Sequence, residues 1–136
     1  MPRFVLLEHT GAPDDPAGLH YDLLLEQGPH CRTWRLAGIP EPDGPDVVAA
    51  ELAPHRLAWL DHDAGAVSGG RGFARRIDGG AYEPALLPPE DAGPRADVRV
   101  TLQGGRLTGR LVLNSTADGW LARLLALRPD GTPAPR

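Results

Sequence analysis

Two histidines and an aspartate stand at the ends of two apolar runs early in the chain. His9 follows Phe4-Val5-Leu6-Leu7-Glu8, and His20-Tyr21-Asp22 opens into Leu23-Leu24-Leu25-Glu26. In a strand, successive side chains point to opposite faces, so His20, Asp22 and Leu24 project together while Tyr21, Leu23 and Leu25 point the other way. His9, at the end of the preceding run, completes a set of two imidazoles and one carboxylate. Neutral imidazole and carboxylate suit zinc, iron or manganese, and a facial two-His-one-carboxylate set leaves positions open for water or substrate. That geometry is catalytic rather than structural. The same spacing also fits histidines that are merely packed or solvated, and the residues alone leave both readings open.

The elements that must position these groups are short strands. Residues 3–8 and 19–26 are the two His-bearing strands, separated by a turn-rich loop over 10–18 with Pro13, Asp14, Asp15 and Pro16. The Gln27-Gly28-Pro29 turn leads into 31–36, which alternates and forms an antiparallel hairpin with the second strand, with Trp34 as a core aromatic. A proline-rich connection covers 38–45, and 47–52 and 56–60 are short apolar runs broken by Pro54. After the glycine-dense stretch 65–72, strand-like segments return at 73–77 and 81–87, followed by a flexible connection over 88–94. Residues 98–103 alternate, Gly104-Gly105 fits a two-residue hairpin turn, and 106–113 returns. The last strand is expected over 120–127, with a short helix as the alternative, and 128–136 reads as a frayed tail. Many short strands with frequent turns predict an all-β barrel or sandwich of mostly antiparallel strands with Gly/Pro-rich loops, in one domain over residues 1–127.

Composition narrows the classes. The chain has 136 residues, 17 Gly and 15 Pro, enough length for a real core and enough turn formers for a loop-rich fold. A single cysteine, Cys31, excludes an intrachain disulfide and fits a reducing compartment. The opening apolar run is too short for a secretory signal and nothing later is long enough for a membrane span, so a cytoplasmic monomer with no membrane partner is expected. A net charge of -4 argues against coating nucleic acid by bulk electrostatics. Every cation is Arg, a pattern that fits coding bias in a chain rich in Ala, Gly and Pro.

The ordered motifs resemble the 3′-phosphoesterase domain of bacterial DNA ligase D. That family opens with an apolar strand ending in His, then a short loop, then Leu-His-Tyr-Asp-x-Arg-x-Glu; here the matching residues are Phe4 to His9, Leu19-His20-Tyr21-Asp22 and Glu26. The resemblance continues through Thr33-Trp34, His55-Arg56-Leu57-Ala58-Trp59, the loop 65–72, Gly80-Ala81-Tyr82-Glu83, and Leu107-Thr108-Gly109-Arg110 to Trp120-Leu121, and so spans nearly the whole chain. It implies a compact β-barrel with His9, His20 and Asp22 as ligands of Mn2+, Zn2+ or Co2+ being the alternatives. It further implies trimming of DNA 3′ ends, by removal of a terminal ribonucleoside and of the 3′-phosphate. A primer-template end would be the substrate, and separate ligase, polymerase or end-binding repair proteins the partners. His55 matches a further catalytic histidine, able to stabilise the transition state or protonate a leaving oxygen.

Departures from that pattern are specific. Leu24 stands where the family has Arg, and Trp59 stands where it has Tyr; an indole can stack on a base or ribose but cannot ionise usefully. The family's basic residues near Val47 and Gly38 are absent. The loop Gly65-Ala66-Val67-Ser68-Gly69-Gly70-Arg71-Gly72 can compensate, with glycine N–H groups approaching an anion and Arg71 replacing the missing clamp, or it can simply turn a barrel corner. Ser68 belongs to the same candidate phosphate-binding loop, with no base beside it in sequence to make it a nucleophile. Asp61-His62-Asp63 reads as a solvated turn rather than a second cation site. Two functions follow as expectations: a metal-dependent phosphoesterase, or a non-catalytic metal-containing module that grips a nucleic-acid end or nucleotide. A nucleotide or small phosphate ester is a third substrate class.

Overall fold

Where the sequence alternates, the chain forms strands with one buried face; where it runs apolar, both faces are buried. The computed structural model describes residues 1–84 and 97–132. Its strands are β1 (Arg3–Thr10), β2 (Leu19–Gln27), β3 (His30–Leu36), β4 (Val47–Arg56), β5 (Ala64–Ala66), β6 (Phe73–Pro84), β7 (Val98–Gln103), β8 (Thr108–Thr116) and β9 (Gly119–Leu125), with a 3-10 helix at Leu57–Asp61 between β4 and β5. Antiparallel neighbours run β1-β2-β3-β4-β9-β8-β7-β6, and β6 pairs back onto β1. Eight strands therefore close into a barrel, and the short β5 adds to the start of β6 on the outside of that circuit. Closure joins the two ends of the strand order, although β4 is held to β9 only over Val47–Ala49. The all-β barrel expected from the sequence is the observed fold.

Inward-facing side chains of these strands make the main core. Phe4, Leu6, Leu23, Leu25, Trp34 and Leu36 meet Leu102, Leu111, Leu113, Trp120 and Leu124 inside the barrel, with Trp34 edge-on to Trp120 at 5.8 Å. The intervening residues Val5, Leu7 and Leu24 are also buried, in a second cluster with Cys31 and Leu60. That cluster lies on the outer face, where Leu57 and Trp59 of the 3-10 helix pack against it. Leu24 does share a face with His20 and Asp22, as alternation predicts, but it is sealed beneath the helix and is 0% exposed.

Several boundaries differ from expectation, each for a physical reason. β4 continues through Pro54, because the register shift between Cys31 and Thr33 puts the proline at a bulge where its missing N–H is tolerated. Segments 73–77 and 81–84 are one strand, β6, bulged between its pairings to Leu6 and Leu7; residues 85–87 and the connection 88–94 lie outside the described residues. The β7–β8 turn is centred one residue later than Gly104-Gly105. Gln103 pairs with Thr108, and the loop between them is closed by the Gly104 N–H on the Leu107 carbonyl at 3.0 Å. Asp78 dictates this: its buried carboxylate accepts N–H bonds from Gly105, Arg106 and Leu107 at 2.9, 3.1 and 2.6 Å. The last strand is β-structure rather than helix and ends at Leu125. Beyond it the Arg128 N–H donates to the Thr132 carbonyl at 2.7 Å, while residues 133–136 lie outside the described residues. Among the described residues no helix is long and apolar enough to cross a membrane.

Candidate metal centre

The β1–β2 register sets the site. His9 lies opposite His20 and Leu7 opposite Asp22, so the three polar side chains emerge together on the outer face, above Val5, Leu7 and Leu24. One donor atom from each of His9, His20 and Asp22 falls within 4.8 Å of the others. His9 Nδ1 is 3.3 Å from Asp22 Oδ2, and His20 Nε2 is 3.3 Å from Asp22 Oδ1. The two imidazoles meet at 4.7 Å between centroids, inclined by 62°.

The outer nitrogens decide the proton positions. His9 Nε2 is 2.7 Å from the Arg71 carbonyl oxygen, which can only accept, so this nitrogen carries the hydrogen. His20 Nδ1 donates in the same way to the Asp15 carboxylate at 2.8 Å. In neutral rings the inner nitrogens are then the lone pairs, and they face a carboxylate. Among the described residues His20 Nε2 and Asp22 Oδ1 are buried with no hydrogen-bond partner. Leaving a buried acceptor unpaired costs about 1–3 kcal/mol, so two unpartnered acceptors beside a His9–Asp22 contact of 3.3 Å are a poor arrangement on their own and a good one for a cation. The donor set fits a divalent metal, and its two-nitrogen, one-oxygen composition admits Mn2+, Zn2+ or Co2+ alike.

Outer contacts orient these ligands. Asp15 sits in the loop between β1 and β2, its backbone N–H on the Ala12 carbonyl at 3.1 Å and its Oδ1 on the Ala17 N–H at 3.1 Å. The hydrogen bond to His20 holds the Asp15 carboxyl below its usual range. The Arg71 carbonyl reaches His9 because Gly72 passes close to β1. Gly72 has φ of 91°, and a Cβ there would collide with the Thr10 carbonyl. Imidazoles anchored through their second nitrogen are the common second layer of metal sites.

A groove of about 560 Å³ opens beside the cluster, bordered by His9, Asp22, Arg35, His55, Trp59 and Arg71. His55 and Trp59, singled out by the resemblance, thus reach the same groove as the metal-type residues. His55 Nδ1 donates to the Ala53 carbonyl at 3.0 Å, which leaves Nε2 as the acceptor. Trp59 rests against His62 at 4.7 Å. Ser68 does not border the groove. Its carbonyl and hydroxyl instead receive the Arg71 guanidinium at 2.7 and 3.1 Å, so Ser68 holds Arg71 rather than a ligand in this conformation. The 61–63 cluster ties the fold together: Asp61 accepts from Arg3 at 2.9 Å, His62 Nε2 donates to the Ala74 carbonyl at 2.9 Å, and the Asp63 carbonyl accepts the Arg76 N–H at 2.7 Å. Among the described residues, only His9, His20 and Asp22 form a three-donor cluster.

Two residues of the site escaped the sequence reading. Arg35 lies opposite Asp22 in the β2–β3 register, a pairing that follows once Gln27 and His30 are matched across the turn. Asp15 was visible only as a turn former; nothing local marks which of Asp14 and Asp15 faces His20. No protein-family model matches the chain, and no curated protein matches it.

Proposed function

We propose that the protein is a metal-dependent phosphoesterase acting on 3′ ends of DNA, removing a terminal ribonucleoside or a 3′-phosphate in repair. The observation that carries the reading is the convergence of His9, His20 and Asp22, with two buried acceptor atoms unpartnered among the described residues, beside a groove also bordered by His55 and by Arg35, Arg56 and Arg71. His9, His20 and Asp22 would hold Mn2+ or a similar divalent ion. When bound, such an ion polarises a phosphate oxygen and neutralises charge developing on it.

The chain's own residues supply the rest. His55, with its Nδ1 proton committed to Ala53, offers Nε2 to hold or pass a proton at the leaving oxygen. Trp59 offers an apolar face on which a base or ribose can stack. Arg71, braced by Ser68, adds positive charge to the groove border. The groove volume of about 560 Å³ suits a nucleotide end. The choice of DNA ends rests on the resemblance, as do separate ligase, polymerase or end-binding partners; a cytoplasmic setting fits the lone buried Cys31.

A binding module without turnover is the second reading. It is favoured by Leu24, which fills the family's Arg position and is sealed from the groove. The deciding experiment uses metal-stripped protein with Mn2+ restored, on a labelled primer-template ending in one ribonucleotide or in a 3′-phosphate. Conversion that is lost in both His20→Ala and His55→Ala supports the enzyme. No conversion by protein shown to hold Mn2+ refutes it, and affinity for the same ends then tests the binding module.

A further inference from the structure

The arginines of this protein are not engaged alike. Arg32 is committed: it pairs with Glu51 at 2.6 Å and lies over Trp34 at 4.7 Å. Arg71 is tied to Ser68. Arg35 is not satisfied. Among the described residues only its terminal NH2 group finds a partner, Asp14, with both oxygens at long range, 3.3 and 3.4 Å, and its Nε is buried with no hydrogen-bond partner. Charge-assisted N–H···O bonds settle near 2.7–2.9 Å, so this contact is loose. The Asp14 side chain is 73% exposed, against 25% for Arg35.

The position gives that loose fork a purpose. Arg35 stands opposite Asp22 in register, on the outer face, and borders the groove. Its neighbour across β4 is Ala50, too small to cover it. A planar guanidinium next to a cation-type cluster matches two oxygens of one phosphate group.

We propose that Arg35 is the phosphate-gripping residue of this groove, and that Asp14 occupies its guanidinium until a phosphate group displaces the carboxylate. The assignment deepens the phosphoesterase reading and rests on it for the ligand class. It places the clamp on β3, across from the metal-type carboxylate, rather than at Leu24. Asp14 meets Arg35 through its exposed side chain alone, so a rotation of that side chain releases Arg35 while the neighbouring Asp15 keeps its hydrogen bond to His20.

The test reads binding, not turnover. Inorganic phosphate is titrated calorimetrically into the full chain, with and without Mn2+, while the Arg35 Nε–H resonance is followed in the metal-free sample. Arg35→Ala should weaken phosphate binding roughly 10- to 100-fold and leave Mn2+ affinity unchanged. Arg35→Lys should restore only part of the loss, since a point charge lacks the fork. Asp14→Ala should tighten phosphate by roughly two- to fivefold, the scale of a released surface pair. Should Arg35→Ala fail to fold, Arg35→Gln, which keeps the stem, carries the same expectation. Unchanged affinity in the folded Arg35 variant, or no phosphate binding by wild type, would overturn the clamp. Unchanged or weaker affinity in Asp14→Ala would overturn the displacement. Failure to process DNA ends would sink the catalytic reading while leaving the phosphate result standing.

Discussion

β1 and β2 are buried on both faces, whereas β7 and β9 are buried on one. In β1 every residue from Phe4 to Leu7 is covered, and in β2 the run Asp22 to Leu25; β7 and β9 alternate. The inner faces of all four strands serve the same barrel core. The extra layer outside β1 and β2 is a five-residue cluster that seats the 3-10 helix and, through it, Trp59 at the groove. On β1 and β2 double-sided burial coincides with the site, whereas β8 is covered on both faces from Leu111 to Leu113 without bordering the groove.

Removing one leucine from each layer should separate the two most sharply. Leu113→Ala, inside the barrel, and Leu24→Ala, under the helix, should each cost about 2–5 kcal/mol in denaturant unfolding, since both side chains are 0% exposed. Their effects on the site should separate. Leu24→Ala should alter Trp59 emission and weaken phosphate binding, while Leu113→Ala, once folded, should leave both unchanged. Equal disturbance of the groove by the two variants would show that the layers are not independent.

Much of the fold was legible because patterning obeys the pleat. The alternation of 98–103 and the apolar runs of 3–8 and 19–26 located strands to within one or two residues. Turn details were less legible, and Asp78 shows why. The β7–β8 loop is shaped by a carboxylate that lies 27 residues before Gly105 in sequence. A Gly-Gly pair satisfies local turn rules whichever register a distant acceptor selects. The site divides in the same way. His9, His20 and Asp22 followed from strand alternation plus a single pairing, but Arg35 needed a second pairing, and Asp15 depended on the loop path. The 3-10 helix carries Trp59 to the groove, and its sequence, Leu-Ala-Trp-Leu-Asp, has no repeat long enough to distinguish it from a strand.

The outer layer is also where metal should act on stability. Mn2+ at a hundredfold excess over its Kd should raise the unfolding free energy of wild type by about 2.7 kcal/mol. Asp22→Asn should abolish that gain. In metal-free protein the same variant should be no less stable than wild type, because the amide donates where the carboxylate only accepted. Asp15→Asn should keep the cluster but weaken Mn2+ roughly 10- to 100-fold by loosening His20. A metal-free Asp22→Asn protein clearly less stable than wild type would refute the picture of convergent acceptors.

The smallest expected effect concerns the outer clip of the helix, where Asp61 at its end accepts from Arg3 at the start of β1. That hydrogen bond holds the Asp61 carboxyl below its ordinary value of 3.8. A carboxylate with a depressed folded-state pKa adds stability that is present above its unfolded value and is lost as pH falls through the folded one. The stability difference between wild type and Asp61→Asn should therefore be constant from pH 7 to 5 and shrink below pH 3.8. Subtracting the variant removes the other acids of the chain, which titrate in both proteins. Both partners are exposed, 49% and 73%, so added salt should erase the difference at neutral pH as well. The barrel does not depend on this clip, since its closure runs through β1–β6 backbone pairing. Loosening at acid pH should accordingly appear first in Trp59 emission and only later in the strand signal; simultaneous loss of both would tie the outer layer to the barrel core more tightly than the two clusters suggest.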